Sequence, residues 1–166
     1  PVESHGAYPL PEAQLDRFLF KVLVNYPELD EEVNILTQQH HRTGSNALDE
    51  ITPILTAEQI DMFRKFTHQV HCEANLLKYI AETVQATRNN PMLFLGASPR
   101  ASIAILSSAK AYAVISGRDF VSPEDIKTVA YPVLRHRVML SPEKEMEGIS
   151  ADEVIKQIID KIEVPR

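Results

Sequence analysis

The sequence predicts a mainly α protein, a small helical bundle preceded by a loop, a short helix and a single strand. Three observations predict it. From residue 27 onward apolar residues recur at helical spacing, and caps of the Ser/Thr type stand at the head of several such stretches. Ser98-Pro99 and Ser122-Pro123 each place a cap and a first-turn proline together. Only residues 18–24, Phe-Leu-Phe-Lys-Val-Leu-Val, have the pattern of a strand buried on both faces, and a strand of that kind needs a sheet around it.

In chain order, Pro1, Gly6 and Pro9 punctuate a loop, and Pro11 stands as the first residue of one or two helical turns through Arg17. The strand 18–24 follows. Asp30 is positioned to cap a helix over 31–41, with Val33, Ile35 and Leu36 as its apolar face. A loop at Gly44, Ser45 and Asn46 leads to the capping box Thr56–Gln59, after which Ile60, Phe63, Phe66 and Val70 share one face. A helix over 75–87 should turn Leu76, Leu77, Ile80, Ala81 and Val84 inward, and Asn89-Asn90-Pro91 ends it. The helix opened by Ser98 and Pro99 runs to Ser116, with Gly117 as its stop. It is apolar nearly all round, which predicts the central helix of the bundle. Ser122, Pro123 and Asp125 open the next helix, ending near Arg135, and Ser150 with Glu153 opens the last, from 151 to about 163.

Composition limits the function classes. The chain has 166 residues, 17 basic against 23 acidic side chains and a single cysteine, Cys72. A net charge of −6 gives no general attraction to nucleic acid, and Cys72 has no partner for an internal disulfide. No 18-residue apolar run predicts a membrane span, and no basic-then-apolar N-terminus predicts a signal peptide. Pro1 in place of Met reads as the cut or processed end of something longer.

Two arginines stand out chemically. Arg100 falls in the first turn of a helix, where a cation opposes the helix dipole unless an anion compensates it. With the free N–H groups of that turn it could meet a phosphate, or it could be an ordinary solvated or ion-paired arginine. Arg17, where the short helix becomes the strand, carries the same two readings. His68, His71, Cys72 and the His40-His41 pair are metal-ligand types, but adjacent helical residues diverge by about 100° and no established ligand spacing is present. No G-x-x-x-x-G-K-[ST] phosphate loop and no nucleophile–base pattern occurs, so the residues alone give no complete catalytic site.

These residues fit a family. Gly6-Ala7-Tyr8-Pro9-Leu10-Pro11-Glu12-Ala13-Gln14-Leu15-Asp16-Arg17-Phe18 resembles the end of the ATPase core in MoxR-type AAA+ ATPases. Leu95-Gly96-Ala97-Ser98-Pro99-Arg100-Ala101, Gly117-Arg118-Asp119-Phe120-Val121 with Pro123 and Asp125, and Leu134-Arg135-His136-Arg137 resemble the helical lid of the same family, in the same order. The resemblance implies that residues 1–26 close the core and 27–166 form the lid. It implies that Arg17 is the arginine finger acting in trans, and that Arg100 is the sensor 2 arginine on the terminal phosphate of its own subunit's ATP. It further implies ATP and Mg in the full-length protein, assembly into a hexameric ring, a cytoplasmic chaperone-like role, and a partner with a von Willebrand factor A domain or another client. The Walker A, Walker B and sensor 1 residues of the family would lie before Pro1, so this chain alone is expected neither to bind nucleotide tightly nor to hydrolyse it. Two other readings remain at this point: a stand-alone helical interaction module, and a helix-turn-helix DNA reader over 122–137 using Arg118, Arg135 and Arg137.

Overall fold

A computed structural model describes residues 10–42 and 51–165. Its elements in order are α1 (Glu12–Leu15), α2 (Leu29–His41), α3 (Ala57–Gln69), α4 (Ala74–Arg88), β1 (Leu93–Leu95), α5 (Pro99–Ile115), α6 (Pro123–Leu134), β2 (Met139–Leu140), α7 (Pro142–Met146) and α8 (Ala151–Lys161). The loop expected at Gly44, Ser45 and Asn46 lies outside the described residues.

The core is built from α4, α5, α6 and α8. Tyr79, Ile80 and Val84 of α4 meet Ala101, Ile105 and Ala109 of α5, Ile126 and Val133 of α6, and Ile155 and Ile159 of α8, all buried. Small residues on the buried face of α5 let its neighbours approach closely, which makes it the packing centre. It is not buried all round, however: Ile103 and Ile115 face outward. On α4 the 3.6-residue period instead buries Leu76, Tyr79, Ile80, Thr83, Val84 and Thr87 and leaves Leu77 and Ala81 exposed. The α3 face of Ile60, Phe63 and Phe66 is likewise exposed, and only Val70 at its end enters the core. Neither α2 nor α3 has a buried residue within its bounds.

Local signals read in the sequence are realised at most helix starts. Both halves of the capping box form at Thr56–Gln59, Ser122–Asp125 and Ser150–Glu153. For α2 the cap is Glu28, paired reciprocally with Glu31, and Asp30 is already inside the helix. Pro11 occupies the cap position of α1, whose single turn ends before Arg17. Gly117 takes φ +74° after α5, a left-handed conformation that costs glycine little. Two features were not expected: the antiparallel pair β1–β2, with Leu93 opposite Leu140, and the short α7.

The expected strand is a correction. Residues 18–24 form no strand: the chain bends at Phe18 and Leu19, and the segment pairs with neither strand of the β1–β2 sheet. One backbone bond ties them down, from Lys21 N–H to the Pro132 carbonyl at 2.9 Å. Their carbonyls are taken by side chains instead. Arg137 donates to Phe18 and Leu19, His136 to Phe18, and Arg135 to Lys21.

Candidate functional site

The turn after α6 explains the cluster Arg135-His136-Arg137. Arg137, whose side chain is only 3% exposed, donates to the carbonyls of Asp16, Phe18, Leu19 and Val133 and to the Asp16 carboxylate. A guanidinium has five N–H donors in a planar fork, which suits one buried side chain to so many oxygens. Burial pulls the Arg137 pKa down, and the Asp16 charge and hydrogen bond oppose that fall. Arg135 forks onto Asp152 at 2.9 and 3.1 Å, tying the same turn to α8. The result fastens α1 and the segment after it to the bundle.

Asp16 joins one of the two sequence-predicted arginines, Arg100, to the buried Arg137. Its carboxylate accepts the Ser98 hydroxyl at 2.9 Å, Arg100 Nη1 at 3.2 Å and Arg137 Nε at 3.2 Å. Burial favours its neutral form, but the hydrogen bonds from Ser98 and Arg100 and the charges of Arg137 and Arg100 prevail, so its pKa lies below the ordinary value. The Ser98 hydroxyl also caps α5 by accepting from the Arg100 N–H at 3.2 Å. An anion therefore does compensate Arg100 at the start of α5, and it is a carboxylate of the chain itself. Arg100 is held by a single contact and remains 58% exposed. Arg17 is exposed, and among the described residues its side chain has no ion pair or hydrogen bond. Arg17, Arg100 and Asp16 line one hollow of ≈ 310 Å³.

The loop that presents Ser98 and Arg100 is fixed from below. Thr87 Oγ1 accepts the Ala97 N–H at 2.9 Å, and Arg88 Nε donates to the Ala97 carbonyl at 2.8 Å. Gly96 lies so close to α4 that a Cβ there would fall 2.6 Å from Arg88 Cα, a backbone atom that cannot swing away. Asp16, Gly96 and Arg137 thus matter as much as the two arginines. All lie within the segments that resemble the family, but no spacing rule shows that residues 16, 98, 100 and 137 converge.

The arginines at 118, 135 and 137 are committed internally. Arg118 forks onto Asp125 at 2.6 and 2.8 Å, and Asp125 also closes its own capping box. With Arg118, Arg135 and Arg137 all bonded within the chain, the DNA-reader reading over 122–137 loses its phosphate-binding cations. His71 contacts Glu73 and its backbone bridges to Phe120, while Cys72 Sγ faces the Glu73 carbonyl. No group of three His, Cys, Asp or Glu that could hold a metal occurs among the described residues, and the Asp16 carboxylate is already engaged by three donors. Among them, too, no helix is long and apolar enough to cross a membrane.

The chain resembles known proteins over its length. The AAA lid domain family matches residues 85–158. The chain is 42% identical to the uncharacterised protein YeaC of Bacillus subtilis, covering 99% of this chain and 51% of that protein. It is 35% identical to chaperone MoxR1 of Mycobacterium tuberculosis, covering 100% of this chain and 45% of the relative. The crystal structure described as "a putative ATPase" from Cytophaga hutchinsonii superimposes with a TM-score of 0.89 at 36% identity, over 100% of this chain and 52% of that one. The chain thus spans about half the length of the relatives it matches.

Proposed function

This chain belongs to the MoxR-like AAA+ ATPases and carries the lid domain of their C-terminal part, and on that premise we propose that Arg17 and Arg100 contact the phosphates of ATP during hydrolysis by the complete protein. The observation that carries the proposal is the shared hollow, in which an exposed Arg17 and a singly held Arg100 flank one carboxylate at the capped start of α5. A phosphate oxygen suits Arg100, an exposed guanidinium held by one bond at a capped helix N-terminus.

Phosphoryl transfer leaves the protein mainly positioning and charge neutralisation to perform. In this reading Arg100 serves as sensor 2, drawing the start of α5 toward the terminal phosphate, and Arg17 serves as the arginine finger, reaching the site of an adjacent subunit. Hydrolysis and phosphate loss return Arg100 to Asp16, so the lid has two positions biased by the phosphate. The division into core end, 1–26, and lid, 27–166, belongs to this proposal. So do the ring assembly, the cytoplasmic location and a partner bearing a von Willebrand factor A domain, and the chaperone-like role, which the likeness to chaperone MoxR1 supports. ATP and Mg are assigned to the complete protein. The present sequence contains no G-x-x-x-x-G-K-[ST] loop, so the chain by itself is proposed to lack ATPase activity.

Steady-state ATP turnover of the complete protein tests the assignment. Arg17→Ala and Arg100→Ala should each lower it by about 10²-fold or more, the scale of removing one donor of transition-state charge. Turnover near that of the unaltered protein would withdraw the role from that residue.

A further inference from the structure

We infer that Arg137, buried in the turn after α6, is a positioning residue for Arg17: it fixes the backbone on both sides of Arg17 and so holds that side chain in its working direction. The inference rests on the phosphate role proposed above for Arg17 and adds a residue that acts only through it.

Arg17 has little of its own to hold it. Its side chain is exposed, and among the described residues it makes no ion pair or hydrogen bond. The helix before it, α1, is a single turn, and its last tie to Arg17 is the Arg17 N–H on the Gln14 carbonyl at 3.1 Å. One turn of helix has no stability by itself. The segment after it pairs with neither β1 nor β2.

Arg137 supplies what this stretch lacks. Its Nη2 donates to the Asp16 carbonyl at 3.1 Å, in the peptide group that leads into Arg17, and to the Phe18 carbonyl at 2.6 Å, one residue beyond it. Nη1 donates to the Leu19 carbonyl at 3.2 Å and, at 2.6 Å, to the Val133 carbonyl of α6. One side chain thus brackets Arg17 and ties both flanks to a core helix. It also lines the same hollow as Arg17. The planar fork is what allows this: lysine keeps the charge but has a single ammonium, which cannot hold several carbonyl oxygens in fixed directions. Such fixing matters for a group that stabilises a transition state, since a misplacement of about 1 Å can cost about 10²-fold in rate.

A double-variant cycle on the complete protein tests the inference, with kcat and KM for ATP measured for Arg137→Lys, Arg17→Ala and the pair. Arg137→Lys should lower kcat by about tenfold or more with KM held. In the Arg17→Ala background the same substitution should lower kcat by no more than about twofold further, because the group it aims is already gone. A merely structural arginine would lower kcat by the same factor in both backgrounds, as would a variant that fails to fold, and that result would overturn the inference. Full turnover of Arg137→Lys would overturn it too, by showing that the charge suffices without the fork. If Arg17→Ala alone leaves turnover unaltered, the phosphate role of Arg17 fails and the inference falls with it.

Discussion

At the α5–α6 turn Arg118 grips Asp125 with two bonds of 2.6 and 2.8 Å, and the carboxylate is only 2% exposed. At the α1–α5 junction Arg100 touches Asp16 with one bond of 3.2 Å while 58% of its side chain faces solvent. Both are arginine–aspartate pairs, but they are built for different ends. Asp125 has its remaining capacity filled by the Ser122 backbone, so the pair is a closed clasp around the left-handed Gly117. Asp16 keeps Ser98 and the buried Arg137 when Arg100 departs, so Arg100 can leave without stranding a charge. What separates a structural arginine from a movable one here is how completely its carboxylate is satisfied without it.

The comparison can be broken at its anchor first. Arg137→Met removes the buried arginine's bonds to Asp16, Phe18 and Leu19 and leaves Asp16 short of its buried partner; we expect a loss of about 4 kcal/mol, read from urea or thermal unfolding. A loss under about 1 kcal/mol would mean that the segment docks by other contacts. Asp125→Ala should come next, costing on the order of 3 kcal/mol, because it removes the Asp125 half of the α6 capping box together with the buried partner of Arg118.

Acid gives a smaller and graded test. Burial lowers the His136 pKa, with the hydrogen bond to Phe18 opposing and the Arg137 charge assisting. Folded His136 therefore holds its proton less tightly than the unfolded chain does. Its contribution is complete above the ordinary histidine value of about 6.5 and declines as pH falls toward the folded value. For Asp16 and Asp125 the folded pKa values are depressed, so their contributions persist above about pH 4 and are lost as pH falls further through the folded values. Melting temperature against pH should thus fall in two stages, and His136→Gln should remove the upper one. A single stage confined to pH below about 4 would show that His136 does not report docking of the segment.

The smallest effect is the sharpest. Arg100→Ala should change stability by no more than about 0.5 kcal/mol, as for an exposed ion pair, despite its large expected effect on turnover. A destabilisation matching that of Asp125→Ala would erase the distinction between the two pairs.

Helix positions were legible in the sequence because their determinants are local. Thr56–Gln59, Ser122–Asp125 and Ser150–Glu153 act within one turn, and Pro99 and Pro123 act on their own φ angles. Asp30 was the wrong cap for α2 because Glu28, a residue type seldom used there, forms the same reciprocal bonds with Glu31. Residues 18–24 have strand composition, yet apolar pattern states only a preference for an extended, covered backbone, and pairing depends on what lies beside it. Here that is Arg135, His136 and Arg137, more than 100 residues away in sequence. Arg17 and Arg100 were visible through their position in motifs, whereas the bond from Asp16 to Arg100 was not.

By itself the sequence determined the class of the chain, the starts of most of its main helices and part of the apolar core, such as Ile80, Val84 and Ile105, since hydrophobic period, caps and prolines act over a few residues. Only the tertiary structure decided that Asp16 bonds Arg100, that Arg137 is buried against the same carboxylate, and that an apolar segment is held by side chains in place of a sheet. Those facts depend on which distant groups can satisfy one another's charges and hydrogen bonds once the helices pack, and no local pattern encodes that.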